Sequence, residues 1–196
     1  MSNKVQIKIK SSYDFYPVTN ENWKDFEKLF GDKGACAGCW CMYWRMRRKD
    51  YDAQRGAGTK RKMKAIVNNG IVPGILAYHI NEPVGWCSVA PREDFPVLEN
   101  SRVLQRIDDK PVWSVVCFYI NKAYRRKGLS IELLNAAKKF VKSSNGEILE
   151  GYPVEPKKDR TADVFAWTGL ASSFRKAGFK EIIRRSDTRP IMRINL

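Results

Sequence analysis

The chain has 196 residues, 43% of them hydrophobic, 12% aromatic and 29% charged, a globular composition rich enough in aromatics to fill a core and incompatible with general disorder. Thirty-six Lys and Arg against 21 Asp and Glu leave a net charge of +15, which attracts polyanions and phosphorylated cofactors. The basic residues are dispersed over Arg45–Lys49, Lys60–Lys64, Arg125–Lys127, Lys157–Arg160 and Arg184–Arg193, which favours one or two anion sites over a dedicated nucleic-acid stripe.

Residues Gln6-Ile7-Lys8-Ile9-Lys10 alternate as a strand, and no signal-peptide pattern precedes them. A helix start at Thr19–Asn22 is followed by Trp23, Phe26, Leu29 and Phe30 on one face, and Gly31 stops the pattern. A second helix is expected from about Thr59 to Val67, ended by Asn68-Asn69-Gly70. Ile75–Ile80 and Val84–Val89, joined by Asn81-Glu82-Pro83, read as a β-hairpin. After the break at Asp108–Pro111, the run Val112–Ile120 is almost wholly β-branched and aromatic, the pattern of a central strand buried on both faces. Ser130–Val141 is an amphipathic helix with Leu133, Leu134, Ala137, Phe140 and Val141 on one side. Glu147–Val154 reads as a strand and Asp163–Ala177 as a helix capped by Gly178. Lys180–Arg185 and Ile191–Leu196 read as closing strands. This order predicts an α/β sheet of mixed direction. No apolar run approaches the roughly 20 residues of a membrane span, so a soluble cytoplasmic protein is expected.

The chemistry concentrates at Ile120–Ser130. A buried strand ends, a basic loop with one glycine follows, and a long helix begins at once. Backbone N–H groups at a helix start lack partners and, with the helix dipole, attract anions. Gly128 lets backbone approach the anion, Arg125, Arg126 and Lys127 add charge, and Ser130 is small enough to leave room and able to cap the helix. This is a cradle for a diphosphate, although neither GxxxxGK[ST] nor GxGxxG is present.

Here the sequence resembles the GNAT superfamily of N-acetyltransferases. Arg125-x-x-Gly128-x-Ser130 matches that family's acetyl-CoA loop, with Ser as the last small residue, and Ala123-Tyr124-Arg125 resembles its usual flank. The turn Glu82–Trp86 and the segment Phe174-Arg175-Lys176-Ala177-Gly178-Phe179 are also similar to family motifs. The resemblance covers residues 74–196 well and implies one domain over 1–196. Residues 1–73 would be a helical part walling the acceptor site, and 74–196 the sheet with its acetyl-CoA core. It implies a mostly antiparallel sheet with helices on both faces and a V-shaped splay between the fourth and fifth strands. Pantetheine would pair with the backbone of Phe118, Tyr119 and Ile120, and the diphosphate would sit on Arg125, Arg126, Lys127, Gly128, Leu129 and Ser130. The acceptor amine would then attack the thioester directly, with no enzyme nucleophile.

Two departures bear on proton transfer. The Tyr that the family often uses as acid falls at Phe174, and its usual Asn falls at Trp167. Glu150 and Tyr152 share a face of the fifth strand by alternation, which makes Glu150 the candidate base and Tyr152 the candidate acid; the competing reading is an ion pair for Glu150 and packing for Tyr152.

The stretch Cys36-Ala37-Gly38-Cys39-Trp40-Cys41-Met42-Tyr43-Trp44 holds three soft ligands at short spacing, which zinc could use. Buried thiols, redox-sensitive thiols and an acceptor wall of Trp40, Tyr43 and Trp44 are the alternatives. A fourth ligand is not evident, so core plus pocket wall is preferred and no metal is expected. The odd cysteine count argues against a disulfide framework, and the single histidine, His79, argues against triads and multi-histidine sites; its expected place is a half-exposed strand. The expected activity is acetyl transfer from acetyl-CoA to the amine of a small molecule or peptide. The alternatives are a basic nucleic-acid-binding module, for which no motif is present, and an acyl-CoA sensor without turnover. Neither the acceptor nor the oligomeric state is legible.

Overall fold

The computed structural model describes residues 5–157 and 166–196. Seven strands form one sheet: β1 (Asp14–Pro17), β2 (Gly74–His79), β3 (Glu82–Pro91), β4 (Trp113–Ile120), β5 (Ile148–Gly151), β6 (Lys180–Arg184) and β7 (Pro190–Asn195). Their order is β1-β2-β3-β4-β5-β7-β6, and every pairing is antiparallel except β4 with β5. The run 112–120 is the central strand it promised to be, with Ser114–Phe118 buried.

Helices cover both faces. On one, α1 (Trp23–Phe30), α2 (Arg48–Gln54), α3 (Ala57–Asn68) and α4 (Pro96–Glu99) accompany an aromatic core in which Phe26 meets Trp86 edge-on at 4.8 Å. The predicted stripe of α1 is the buried one. On the other face, α5 (Leu129–Ser143) and α6 (Ala171–Lys176) bury Leu133, Leu134, Ala137 and Phe174. No helix among the described residues is long and apolar enough to cross a membrane.

Three sequence expectations change. Residues 6–10 are not in a strand: Ile7 donates its N–H to the carbonyl of Phe15 at 2.8 Å, and β1 lies further along. The alternation there reflects Ile7 and Ile9 packing on the core while the lysines face water. Helix α2, whose charged sequence carries little apolar period, was not anticipated. The helix expected from Asp163 starts only at Ala171, because Gly169 adopts φ +88°, outside the helical region. The beginning of that expected helix, residues 163–165, falls outside the described residues.

The position that matters is the contact of β4 with β5. Trp113, Ser114 and Val115 pair with Leu149, Glu150 and Gly151, and the ladder stops there. Beyond Val115 the two strands diverge, leaving the β5-facing edge of residues 116–120 without a strand partner.

Candidate acetyl-CoA and acceptor site

The end of β4 leads through Asn121–Lys127 into α5. Gly128 sits at φ +82°, and a side chain built there would meet nothing within 4 Å. The open space above it faces the start of α5. The N–H groups of residues 126–130 find no backbone acceptor among the described residues, the first such bond into the helix being Ile131 to the Gly128 carbonyl at 2.9 Å. Arg126 and Lys127 are exposed beside these donors. Arg125 folds back, its Nε donating to the Ile120 carbonyl at 3.0 Å. Ser130 does not cap the helix as expected; its hydroxyl bonds Ser173 of α6 at 3.2 Å, tying the two helices together. The concentration of unpaired donors, helix dipole and positive charge suits a diphosphate.

The splayed edge of β4 is partly occupied. Alternation points the peptide groups of Val116, Phe118 and Ile120 toward β5. Trp44 Nε1 donates to the Val116 carbonyl at 3.1 Å, and the Phe118 N–H donates to the Trp167 carbonyl at 2.7 Å. With Ile120 O taken by Arg125, the backbone of Phe118–Ile120 is less open to pantetheine than the resemblance implied.

At the apex of the splay lies a buried polar network. Glu150 and Tyr152 do share a face, and the Tyr152 hydroxyl donates to Glu150 Oε1 at 2.6 Å. Arg92 Nη1 donates to both, at 3.1 Å to Glu150 and 2.5 Å to Tyr152. Ser114 lies 2.8 Å from the Tyr152 hydroxyl, and Arg193 Nε reaches Glu150 Oε2 at 2.5 Å while its other nitrogens hold Asp108. Glu150, Arg92, Tyr152 and Ser114 are all at most 1% exposed. Burial, followed by the Glu150 charge, pushes the Tyr152 phenol well above its ordinary range. Phe174, also fully buried, packs against Gly151 and Phe118, so apolar contact fills the place where the family often has a hydroxyl.

Sequence reasoning missed Arg92, Arg193 and Ser114. Two signals were present: a lone arginine among Ile191, Met192 and Ile194, and a lone serine inside the apolar run 112–120. Arg92, beyond the end of β3, gave none.

The cysteine stretch divides. Trp40 is core, 3% exposed and stacked near Phe30 at 5.5 Å, not a pocket wall. Tyr43 is half-buried, and Trp44 is buried against Trp167. Cys41 donates its thiol to Cys117 on β4 at 3.2 Å and accepts from Trp86 Nε1 at 3.0 Å, while Cys36 is exposed. Desolvation raises the Cys41 and Cys87 thiols far above the usual range. Among the described residues no group of three or more His, Cys, Asp or Glu is placed to hold a metal ion. His79 is half-buried at the end of β2, with its Nδ1 3.4 Å from the Tyr124 hydroxyl.

The chain matches no curated protein. It is similar in fold to a GNAT-family acetyltransferase of Listeria monocytogenes (TM-score 0.57, 8% identity, 94% of this chain and 95% of that one). A GNAT-family acetyltransferase of Streptococcus agalactiae is similar too (TM-score 0.54, 11% identity, 94% and 95%). So is the PaiA N-acetyltransferase of Thermoplasma acidophilum, solved in complex with coenzyme A (TM-score 0.52, 14% identity, 95% and 100%). The model of the acetyltransferase (GNAT) family matches residues 40–154, which include the splayed strand, the basic loop and α5. With the parallel β4–β5 pair opening beside the basic start of α5, that match establishes that the chain belongs to the acetyltransferase (GNAT) family, the acetyl-CoA-dependent N-acetyltransferases.

Proposed function

We propose that the whole chain is one acetyltransferase domain that binds acetyl-CoA across the β4–β5 opening and passes the acetyl group to a primary amine in a ternary complex. The observation that carries this reading is the cradle at Gly128, where residues 126–130 offer unpaired N–H groups beneath open space. The diphosphate would rest on Arg125–Ser130 and the pantetheine along Phe118–Ile120. A cytoplasmic setting, where acetyl-CoA is available, is part of the reading.

The amine nitrogen attacks the thioester carbonyl, the C–S bond breaks, coenzyme A leaves as thiolate and takes a proton, and the attacking nitrogen gives one up. Positioning supplies most of the acceleration in such a transfer. Glu150 and Tyr152 are read here as a brace that fixes where β4 and β5 part. Their hydrogen bonds are spent on Arg92, Arg193 and Ser114, and neither reaches solvent. Proton exchange then runs through water in the open part of the cleft.

The test is thermal. Acetyl-CoA at 100 times its Kd adds about 2.7 kcal/mol of stability, and in a chain of this length that raises Tm by roughly 5–11 °C. Gly128→Val fills the space where the diphosphate would rest and should lose that shift; Arg125→Ala should reduce it. A Gly128→Val protein that is stabilised as strongly as the parent would show that the cofactor binds elsewhere.

A further inference from the structure

Four separate pieces of chain meet beside the splayed edge of β4. Trp167 stacks on Trp44 with centroids 5.5 Å apart and meets Tyr43 edge-on at 5.3 Å. Both Tyr43 and Trp167 are half-buried. Trp44 and Trp167 are themselves tied to β4 through Val116 and Phe118. The next residue, Thr168, is buried and accepts a hydrogen bond at 3.0 Å from Nη1 of Arg189, which enters from the turn before β7.

Arg189 differs from three other half-buried arginines, which have acid partners, and is like Arg185 in lacking one, although Arg185 is spent on the Gln105 and Arg106 carbonyls. Arg193 is held by Asp108 and Glu150, Arg184 by Glu155 and Glu181, and Arg45 by Asp94. Among the described residues Arg189 has a hydroxyl partner and no carboxylate. The acids nearest along the chain and the sheet are engaged: Asp187 with Lys157, and Glu155 with Arg175 and Arg184. Burial lowers the Arg189 pKa. A second guanidinium, Arg48, lies 5.6 Å over the Tyr43 ring, paired to Asp52. A partly desolvated cation without a counter-ion is costly to hold, and a guanidinium fork matches a carboxylate in two parallel hydrogen bonds.

We infer that Arg189 anchors a carboxylate of the acceptor, so that the acetyl acceptor is an amine of amino-acid type whose body lies against Tyr43 and Trp167. This rests on the acetyl-transfer reading above. The carboxylate takes no part in bond making: it neutralises Arg189 and orients the amine toward the thioester at β4. The same charge disfavours polycationic amines.

The experiment follows coenzyme A release with acetyl-CoA and a paired panel. Phenylalanine, leucine and methionine are each set against their carboxamide and their decarboxylated amine, and agmatine serves as the polycation. The expected result is a kcat/KM for at least one amino acid roughly 10- to 100-fold above its own amide and amine, the worth of a charge-assisted hydrogen bond. Arg189→Gln should raise KM for that amino acid by a similar factor, leave KM for acetyl-CoA in place and erase the preference over the amide, with Arg189→Lys recovering part of it. Amides, amines or agmatine turned over as well as the acids would overturn the inference while leaving acetyl transfer standing. A protein still stabilised by acetyl-CoA that turns over no amine would remove the acetyl-transfer reading itself, and the inference with it. The acid-to-amide ratio of the parent enzyme decides the matter even if Arg189→Gln fails to fold.

Discussion

Replacing Tyr152 by Phe separates the two roles open to the residue at the apex. The change removes one oxygen and keeps the ring. That oxygen takes part in hydrogen bonds with Arg92 at 2.5 Å, Glu150 at 2.6 Å and Ser114 at 2.8 Å, all in a fully buried setting. Leaving a buried polar group short of a partner costs about 1–3 kcal/mol, more for a charged one. Arg92 and Glu150 retain each other, and Arg92 also keeps Glu99 and the Leu104 carbonyl. Part of the loss is therefore absorbed, and about 2–4 kcal/mol is expected overall. In a chain of this length that lowers Tm by roughly 4–16 °C. Urea unfolding followed by Trp fluorescence measures it. A brace predicts this loss together with a kcat, per folded molecule, within about threefold of the parent. Removal of a general acid instead costs about 10²–10⁴ in rate. A variant as stable as the parent but slowed a hundredfold would refute the brace and restore Tyr152 as the acid.

Alkaline pH should destabilise the protein. Burial holds Cys41, Cys87 and Tyr152 protonated in the folded state, and Tyr51 is pushed up to about 12. As pH rises past the unfolded values, near 9 for the thiols and 10 for the phenols, the unfolded chain releases protons that the folded chain keeps. Stability then falls by about 1.4 kcal/mol per pH unit for each such group, and a urea midpoint that stays level from pH 8 to 10.5 would contradict the burial. Thiol titration of the native protein should find Cys36 fast, Cys39 slower, and Cys41, Cys87 and Cys117 reactive only after unfolding, in the order of their exposure. Protein purified without added zinc should carry well under one equivalent by metal analysis; a stoichiometric ion lost on replacing Cys36, Cys39 or Cys41 would reverse that assignment.

How much of this was legible depended on whether a residue's role was local. The central strand, the hairpin and α5 were visible because apolar periodicity over eight or more residues records which face is buried. The loop proposed to hold the diphosphate stood out because glycine, basic residues and a helix start are contiguous in sequence. Arg92, Arg193 and Ser114 were not, since their meaning lies in the Glu150 carboxylate and Tyr152 hydroxyl that the fold brings to them from distant parts of the chain. Arg189 was invisible for a related reason: only the packed structure reveals that, among the described residues, it meets a hydroxyl and no carboxylate. Trp40 misled because an aromatic beside cysteines in a loop looks like a pocket wall, whereas the chain turns through positive φ at Trp40 and Cys41 and drives the indole into the core.

The same geometry locates where cofactor affinity must come from. A pantetheine amide that accepts the Phe118 N–H replaces the Trp167 carbonyl already there, exchanging one hydrogen bond for another of similar worth. Such exchanges contribute little net free energy, so under the proposed reading the strand edge sets register while the donors of residues 126–130 supply binding. The exchange also has a second consequence. Trp167 adjoins Thr168, the hydroxyl partner of Arg189, and packs on Tyr43 and Trp44. A ligand that displaces the Trp167 carbonyl would therefore act on the peptide that also holds the proposed acceptor wall. Under the proposed reading residues 167–168 would stand between the thioester and the amine, and their two hydrogen bonds would be the physical route by which either substrate feels the other.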